Sequence, residues 1–216
     1  MVITISVIPN IIIIPNVLAQ NYVSEVENAP ESSTLKIKAD KLFKIGVEQF
    51  RTGTFDKALE TYKEVLSIHK KLGDFGGVAK TLNNIGDVYI NQREYLKAIE
   101  VLQQALTIHR QKNDRSGTAE SLNLIGFIYQ QQDKFSQAVN LHQEALEISR
   151  EVSDRSNEGE SLHNIASVKA SQRQLDLALK FYQEALTIRE EVGDRRDQGR
   201  TLNNIGVVYF NQGDYN

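Results

Sequence analysis

Four octapeptides, beginning at residues 82, 122, 162 and 202, read LNNIGDVY, LNLIGFIY, LHNIASVK and LNNIGVVY, each 40 residues after the last. A weaker copy, LFKIGVEQ, stands one interval earlier at residue 42. A second block keeps step with the first, starting at Phe55, Tyr95, Phe135 and Leu175 and reading, in its second copy, YLKAIEVLQQALTIHRQKND. Self-similarity at such a period narrows the possible folds sharply. A unit of this length cannot bury its apolar face alone, so neighbouring units must stack into one continuous core.

Both blocks carry helical periodicity. Leu82, Ile85 and Tyr89 recur at i, i+3 and i+7 in the first, and Ala98, Leu102 and Ala105 do so in the second. Short polar stretches, Asn91-Gln92-Arg93 and Gln131-Gln132-Asp133 among them, read as turns. Asp74, Asp114, Asp154 and Asp194 are placed to accept bonds from the free backbone N–H groups of a helix start, and Gly73 and Gly193 just before them suit a left-handed helix end. Each period is therefore a helix hairpin, helix A then helix B. Gly46, Gly86, Gly126, Ala166 and Gly206 fall in the middle of helix A, where Gly costs about 1 kcal/mol relative to Ala and is tolerated for the close approach of a neighbour. Ala58, Ala98, Ala138 and Ala178 give helix B the matching flat surface.

The pattern L-x-x-I-G-x-x-Y, then an Ala, an aliphatic residue and a second Ala, resembles the tetratricopeptide repeat. The usual unit is about 34 residues; the longer unit, with GDRRDQGRTLNNIGVVY from Gly193 to Tyr209, is similar to the variety in kinesin light chains and polarity scaffolds. It also resembles bacterial exported repeat proteins, some of which join the array to a peptidase domain. The resemblance covers residues 34 to 216 and implies an all-α, right-handed solenoid of four hairpins plus a final unpaired helix A. The fourth repeat departs from the pattern, with Ala166 for Gly and Lys169 for Tyr, which predicts looser packing or an altered helix angle there. The sequence stops after NQGDY, where a fifth helix B would begin, so the last helix A is expected to have an apolar flank needing a cap, a partner or a second copy.

Ahead of the array, Met1 to Ala19 holds no charged side chain and is dominated by Ile and Val. Val17-Leu18-Ala19 before Gln20 fits a signal-peptidase site, although no basic residue precedes the apolar run. It reads as an export signal, placing the protein in the periplasm or outside the cell; a retained anchor and an uninformative tail, the latter leaving a cytoplasmic protein, are the alternatives. Residues 20 to 33 read as a polar linker.

In a right-handed stack the A helices line the concave wall, and residues off their core stripe face the groove. That stripe is Lys80, Asn84, Asp87 and Asn91; Glu120, Leu124, Phe127 and Gln131; Glu160, Asn164, Ser167 and Ser171; and Arg200, Asn204, Val207 and Asn211, with Lys44, Val47 and Arg51 in the first repeat. Asn carries a donor and an acceptor, so Asn84, Asn164 and Asn204 suit contact with an extended peptide backbone, and the resemblance implies ligand contact at those positions. The competing reading is that they bond to a neighbouring helix. Leu124 breaks the Asn series and with Phe127 predicts an apolar pocket mid-groove. Lys44, Lys80 and Asn84 together could form a partial clamp for a carboxylate.

These features predict a scaffold for a protein or peptide ligand, with self-association through the last helix as an alternative and the regulatory arm of a larger enzyme as another. The net charge of −3, from 25 Lys and Arg against 28 Asp and Glu, offers no basic face for nucleic acid. No cysteine is present. His69 and His109 occupy equivalent positions one repeat apart, an inheritance of duplication rather than a metal site, and no catalytic signature accompanies them or His142 and His163. Glu190 and Glu191 end a helix and read as solvated. No cofactor, small-molecule substrate or enzymatic chemistry is expected.

Overall fold

A computed structural model describes residues 31–213. The segment read as an export signal and nearly all of the linker lie outside the described residues. Helix α1 is already formed at residue 31 and runs over 31–51, so the array is helical three residues earlier than the sequence boundary at 34.

Eight helices follow: α2 (Phe55–Leu72), α3 (Phe75–Asn91), α4 (Tyr95–Gln111), α5 (Arg115–Gln131), α6 (Phe135–Glu151), α7 (Arg155–Ser171), α8 (Leu175–Val192) and α9 (Arg195–Gln212). Odd-numbered helices are the A helices and even-numbered ones the B helices, and no strand occurs among the described residues. The four predicted aspartates cap α3, α5, α7 and α9. Their carboxylates accept from the backbone N–H groups of Gly77, Gly117, Asn157 and Asp197 at 2.9–3.1 Å, each cap stabilising by about 1 kcal/mol. Gly73 and Gly193 end α2 and α8 with φ of 64° and 74°.

Packing turns on the small residue in the middle of each A helix. A Cβ on Gly46 would come within 2.6 Å of the Tyr62 ring, one on Gly86 within 2.5 Å of Leu102, and one on Gly126 within 2.6 Å of His142. Helix B thus presses a bulky side chain into the notch that Gly leaves. The fourth repeat corrects the expectation of looseness. Ala166 is fully buried in a cluster with Ala178, Tyr182 and Val208, and α7 packs on α8 as extensively as α5 does on α6. The methyl group fills space that the other repeats leave to the incoming ring.

Successive A helices also touch one another, α3 with α5, α5 with α7 and α7 with α9, and no pair of B helices meets to that extent. The A helices are therefore the inner layer of the solenoid. Among the described residues, α9 packs mainly on α8 and less on α7. Nothing lies within 4 Å of a Cβ built on Gly206, and Leu202 and Phe210 are 53% and 65% exposed, with Val207 and Tyr209 exposed beside them. Among the described residues, the notch on α9 holds no side chain.

Candidate functional site

The A helices shape a groove of about 970 Å³ that runs from Phe50 on α1 to Asn204 on α9. Of the residues expected to face it, Asp87, Asn91, Leu124, Phe127, Gln131, Asn164 and Asn204 line this one cavity. Glu120, Glu160, Ser167 and Arg200 line it too. Lys44, Lys80, Asn84 and Asn211 are not part of its lining. Lys80 instead lies over the Phe43 ring at 5.1 Å, and the Asn84 amide is engaged within the fold, so the carboxylate clamp is not assembled.

The three equivalent asparagines have different fates, and the residue 22 positions earlier on helix B decides each. Tyr62 donates its hydroxyl to Asn84 Oδ1 at 3.2 Å, while Asn84 Nδ2 donates to the Lys80 carbonyl at 2.9 Å. Asn204 Nδ2 contacts Tyr182 Oη at 3.3 Å and His163 Nε2 at 3.2 Å. Leu102 has no polar atom to offer, and Leu124, 22 residues on, packs against the apolar cluster that contains it. The break in the Asn series is thus matched to the apolar residue beneath it. In the remaining pair His142 replaces Tyr and turns its Nδ1 to Asn123 at 3.0 Å instead. Asn164 is left 7% exposed, on the groove, with no hydrogen bond to any described residue.

A buried ladder holds the inner layer together, and the sequence reading missed it. Ser121 donates to Asn83 Oδ1 at 2.8 Å, Asn123 donates to Ser161 at 2.8 Å, and His163 Nδ1 meets Thr201 at 3.2 Å. Each bond joins one A helix to the next. The signal was present: a hydroxyl residue precedes the first Leu of the four strong copies, at Thr81, Ser121, Ser161 and Thr201, and all four are buried.

The sequence model described as "Tetratricopeptide repeat" matches residues 42–111, 77–151 and 157–216. The chain belongs to the tetratricopeptide repeat family. A search of curated proteins returns no significant match. Among solved structures, BtubC (BKLC) from P. vanneervenii aligns with a TM-score of 0.67 at 22% identity, over 92% of this chain and 85% of that one. The Rap conjugation gene regulator of plasmid pLS20, solved in complex with the Phr* peptide, aligns at 0.75 and 17% identity, over 86% of this chain and 52% of that one. A Rap protein complexed with Competence and Sporulation Factor aligns at 0.74 and 18% identity, over 81% and 49%. The chain therefore spans about half the length of those two Rap proteins.

Charge along the tetratricopeptide groove is uneven. Toward α9, Glu160 is paired with Arg189 at 2.7 Å and also with Arg200, and Arg200 reaches Asp197 at 3.4 Å. Arg189 is itself buried, donating to the Asp197 carbonyl and to Thr201. Toward the middle, Glu120 accepts one bond from Asn83 at 3.1 Å, and the Asp87 carboxylate bonds to no described residue. Burial, aided by the negative charges of Glu120 and Glu160, pushes the Asp87 carboxyl up to about 7. Burial also raises Glu120 above the usual carboxylate range.

Proposed function

We propose that this chain is a binding scaffold that holds a segment of a partner protein, or a free peptide, in the groove of its A helices. The observation that carries this is the continuous cavity from Phe50 to Asn204, with Leu124 and Phe127 as an apolar patch between polar walls. Large concave sites with a few convergent polar groups are where proteins take ligands. The Rap structures, solved in complex with the Phr* peptide and with Competence and Sporulation Factor, support the reading, since proteins of this fold hold ligands there. The groove shows no nucleophile paired with a base, and a holding role is the simpler account of its residues.

The reading is tested by capture from lysate with the wild-type chain and with Phe127→Ala/Asn164→Ala, helicity being matched by circular dichroism. A partner held by the first and reduced about tenfold or more on the second is the expected outcome, as for loss of a buried anchor. Equal retention by both would remove the groove from the binding reaction. The bare notch on α9 favours a second reading, in which the array continues by stacking on another helix.

A further inference from the structure

Resting on the groove as the binding face, we propose that the ligand is a peptide carrying a lysine or arginine side chain that docks against Asp87 and Glu120, with its backbone bonded by Asn164. Three observations converge. At the α9 end of the groove Arg189 and Arg200 are engaged with Glu160 and Asp197, which leaves Arg196, exposed on the lining, as the α9 cation outside an ion pair. Asp87 on α3 and Glu120 on α5 stand in no close ion pair with a described residue; Lys80 lies over the Phe43 ring and reaches Glu120 only as a more distant charge, and Arg93 is exposed on the groove lining. Independently of charge, Asn164 is buried, opens on the same cavity, and its side-chain amide makes no hydrogen bond to a described residue. An amide in that state lacks the partners that buried polar groups have, and a peptide backbone offers both a donor and an acceptor.

A metal ion does not answer to this arrangement. Among the described residues no group of three His, Asp or Glu side chains is placed to hold one. A cationic side chain needs less: one or two carboxylates at its charged end and an apolar surface along its stem, here Leu124 and Phe127. The raised titration of Asp87 agrees, since burial and the charges of Glu120 and Glu160 disfavour its ionised form, a cost that an arriving cation offsets.

The test is a positional library of N-acetylated, C-amidated hexapeptides, screened for retention by the labelled full-length chain at pH 8. Peptides with Lys or Arg are expected to be held about tenfold more tightly than their Glu counterparts. That preference should disappear in Asp87→Asn/Glu120→Gln, whereas Phe127→Ala should weaken all retained peptides regardless of charge. A preference for acidic or neutral peptides, or a basic preference untouched by the double variant, overturns the charge assignment and leaves the groove standing. Retention that is absent, or indifferent to Phe127→Ala and Asn164→Ala, overturns the groove reading and this one with it. A measurement on the unaltered chain guards against misfolded variants: affinity for an Arg-containing hexapeptide should fall as pH drops from 8 to 5.5 and Asp87 takes up a proton. The groups facing Asp87 are Tyr62 of α2, Glu120 of α5, Glu160 of α7 and Arg196 and Arg200 of α9. Affinity unchanged over that range contradicts the proposal.

Discussion

Asp87 and the buried histidines pull the stability of this fold in opposite directions as pH changes. Asp87, raised from 3.8 to about 7, keeps a proton in the folded chain that the unfolded chain gives up. Its contribution is present at low pH and is lost as pH rises through that window. His142 is lowered from 6.5 to about 3 by burial alone, and His163 is depressed by burial and by Arg200 and Arg189. Both stay neutral in the fold, so their contribution is present above about 6.5 and is lost as pH falls. Between about 4 and 6.5 the two effects oppose each other. Asp87→Asn removes one of them. The variant should be more stable than the parent by about 2 kcal/mol above pH 7, a figure reduced from the full shift because the carboxyl is only partly buried. The gain should shrink toward zero near pH 4, leaving a steeper acid limb. Thermal melts across that range check it; a gain that does not vary with pH would show that Asp87 ionises normally in the fold. A site residue that lowers stability at working pH is what a binding group awaiting its counter-charge looks like.

The helices are spaced by positions that turn left-handed whatever residue stands there. Gly53, Gly73, Gly193 and Gly213 take this conformation freely, but Arg93, Asn113, Asp133, Ser153 and Arg173 are held in it with φ of 55–62°. Ser153→Gly and Arg173→Gly should each stabilise by about 0.5–1 kcal/mol, the relief of left-handed strain less the added flexibility of the unfolded chain. Denaturant midpoints measure this, and destabilisation would mean that the native side chain makes a contact outweighing the strain. A second device couples caps to stacking. His109 bonds the capping Asp114 at 2.8 Å, His69 lies 2.8 Å from the capping Asp74 without hydrogen-bond geometry, and their rings occupy the space that a Cβ on Gly117 or Gly77 would need. Gly117→Ala should therefore cost about 1–3 kcal/mol. Most of that should return when His109→Ser is added, since the third repeat pairs Ser149 with Asn157 at the same two places. If the double variant is no better than the single one, the ring is not the obstacle. This coupling marks how far the sequence could be read. Period, caps, turns and the small-residue notches were legible because each is local and recurs at a fixed spacing. The fates of Asn84, Asn164 and Asn204 were not, because one letter in one register ends up bonded or unbonded according to a residue on another helix. Arg189, at the position of His69 and His109, reaches into the groove for the same kind of reason.

A stacked array is stabilised by each hairpin's contacts with its neighbours, so its ends are its weakest parts unless something covers them. In α3, α5 and α7 the inner helix is flanked on both sides and its small-residue notch is filled or crowded. In α9 only Thr201 and Val208 are buried, and among the described residues nothing lies within 4 Å of a Cβ built on Gly206. Leu202, Val207 and Tyr209 together make the kind of exposed apolar surface that proteins cover with a partner. The occupant that fits is an amphipathic helix with a bulky side chain to seat over Gly206, as Tyr62, Leu102 and His142 seat over the earlier glycines. The α9 face of a second copy can supply Tyr209 or Phe210 for that role. Hydrogen exchange of the isolated chain should therefore show the α9 amides least protected when dilute, at about 1 µM, because local opening there exposes little that is buried. Protection of α9 should rise on concentration to about 200 µM, while that of α5 stays level, and sedimentation over the same range should show a reversible dimer. Val207→Glu/Phe210→Glu should abolish both effects without lowering protection in α3 to α7. A monomer at every concentration, with α9 protection unchanged, would rule out a second copy on this face and leave a helix from a different partner as the occupant.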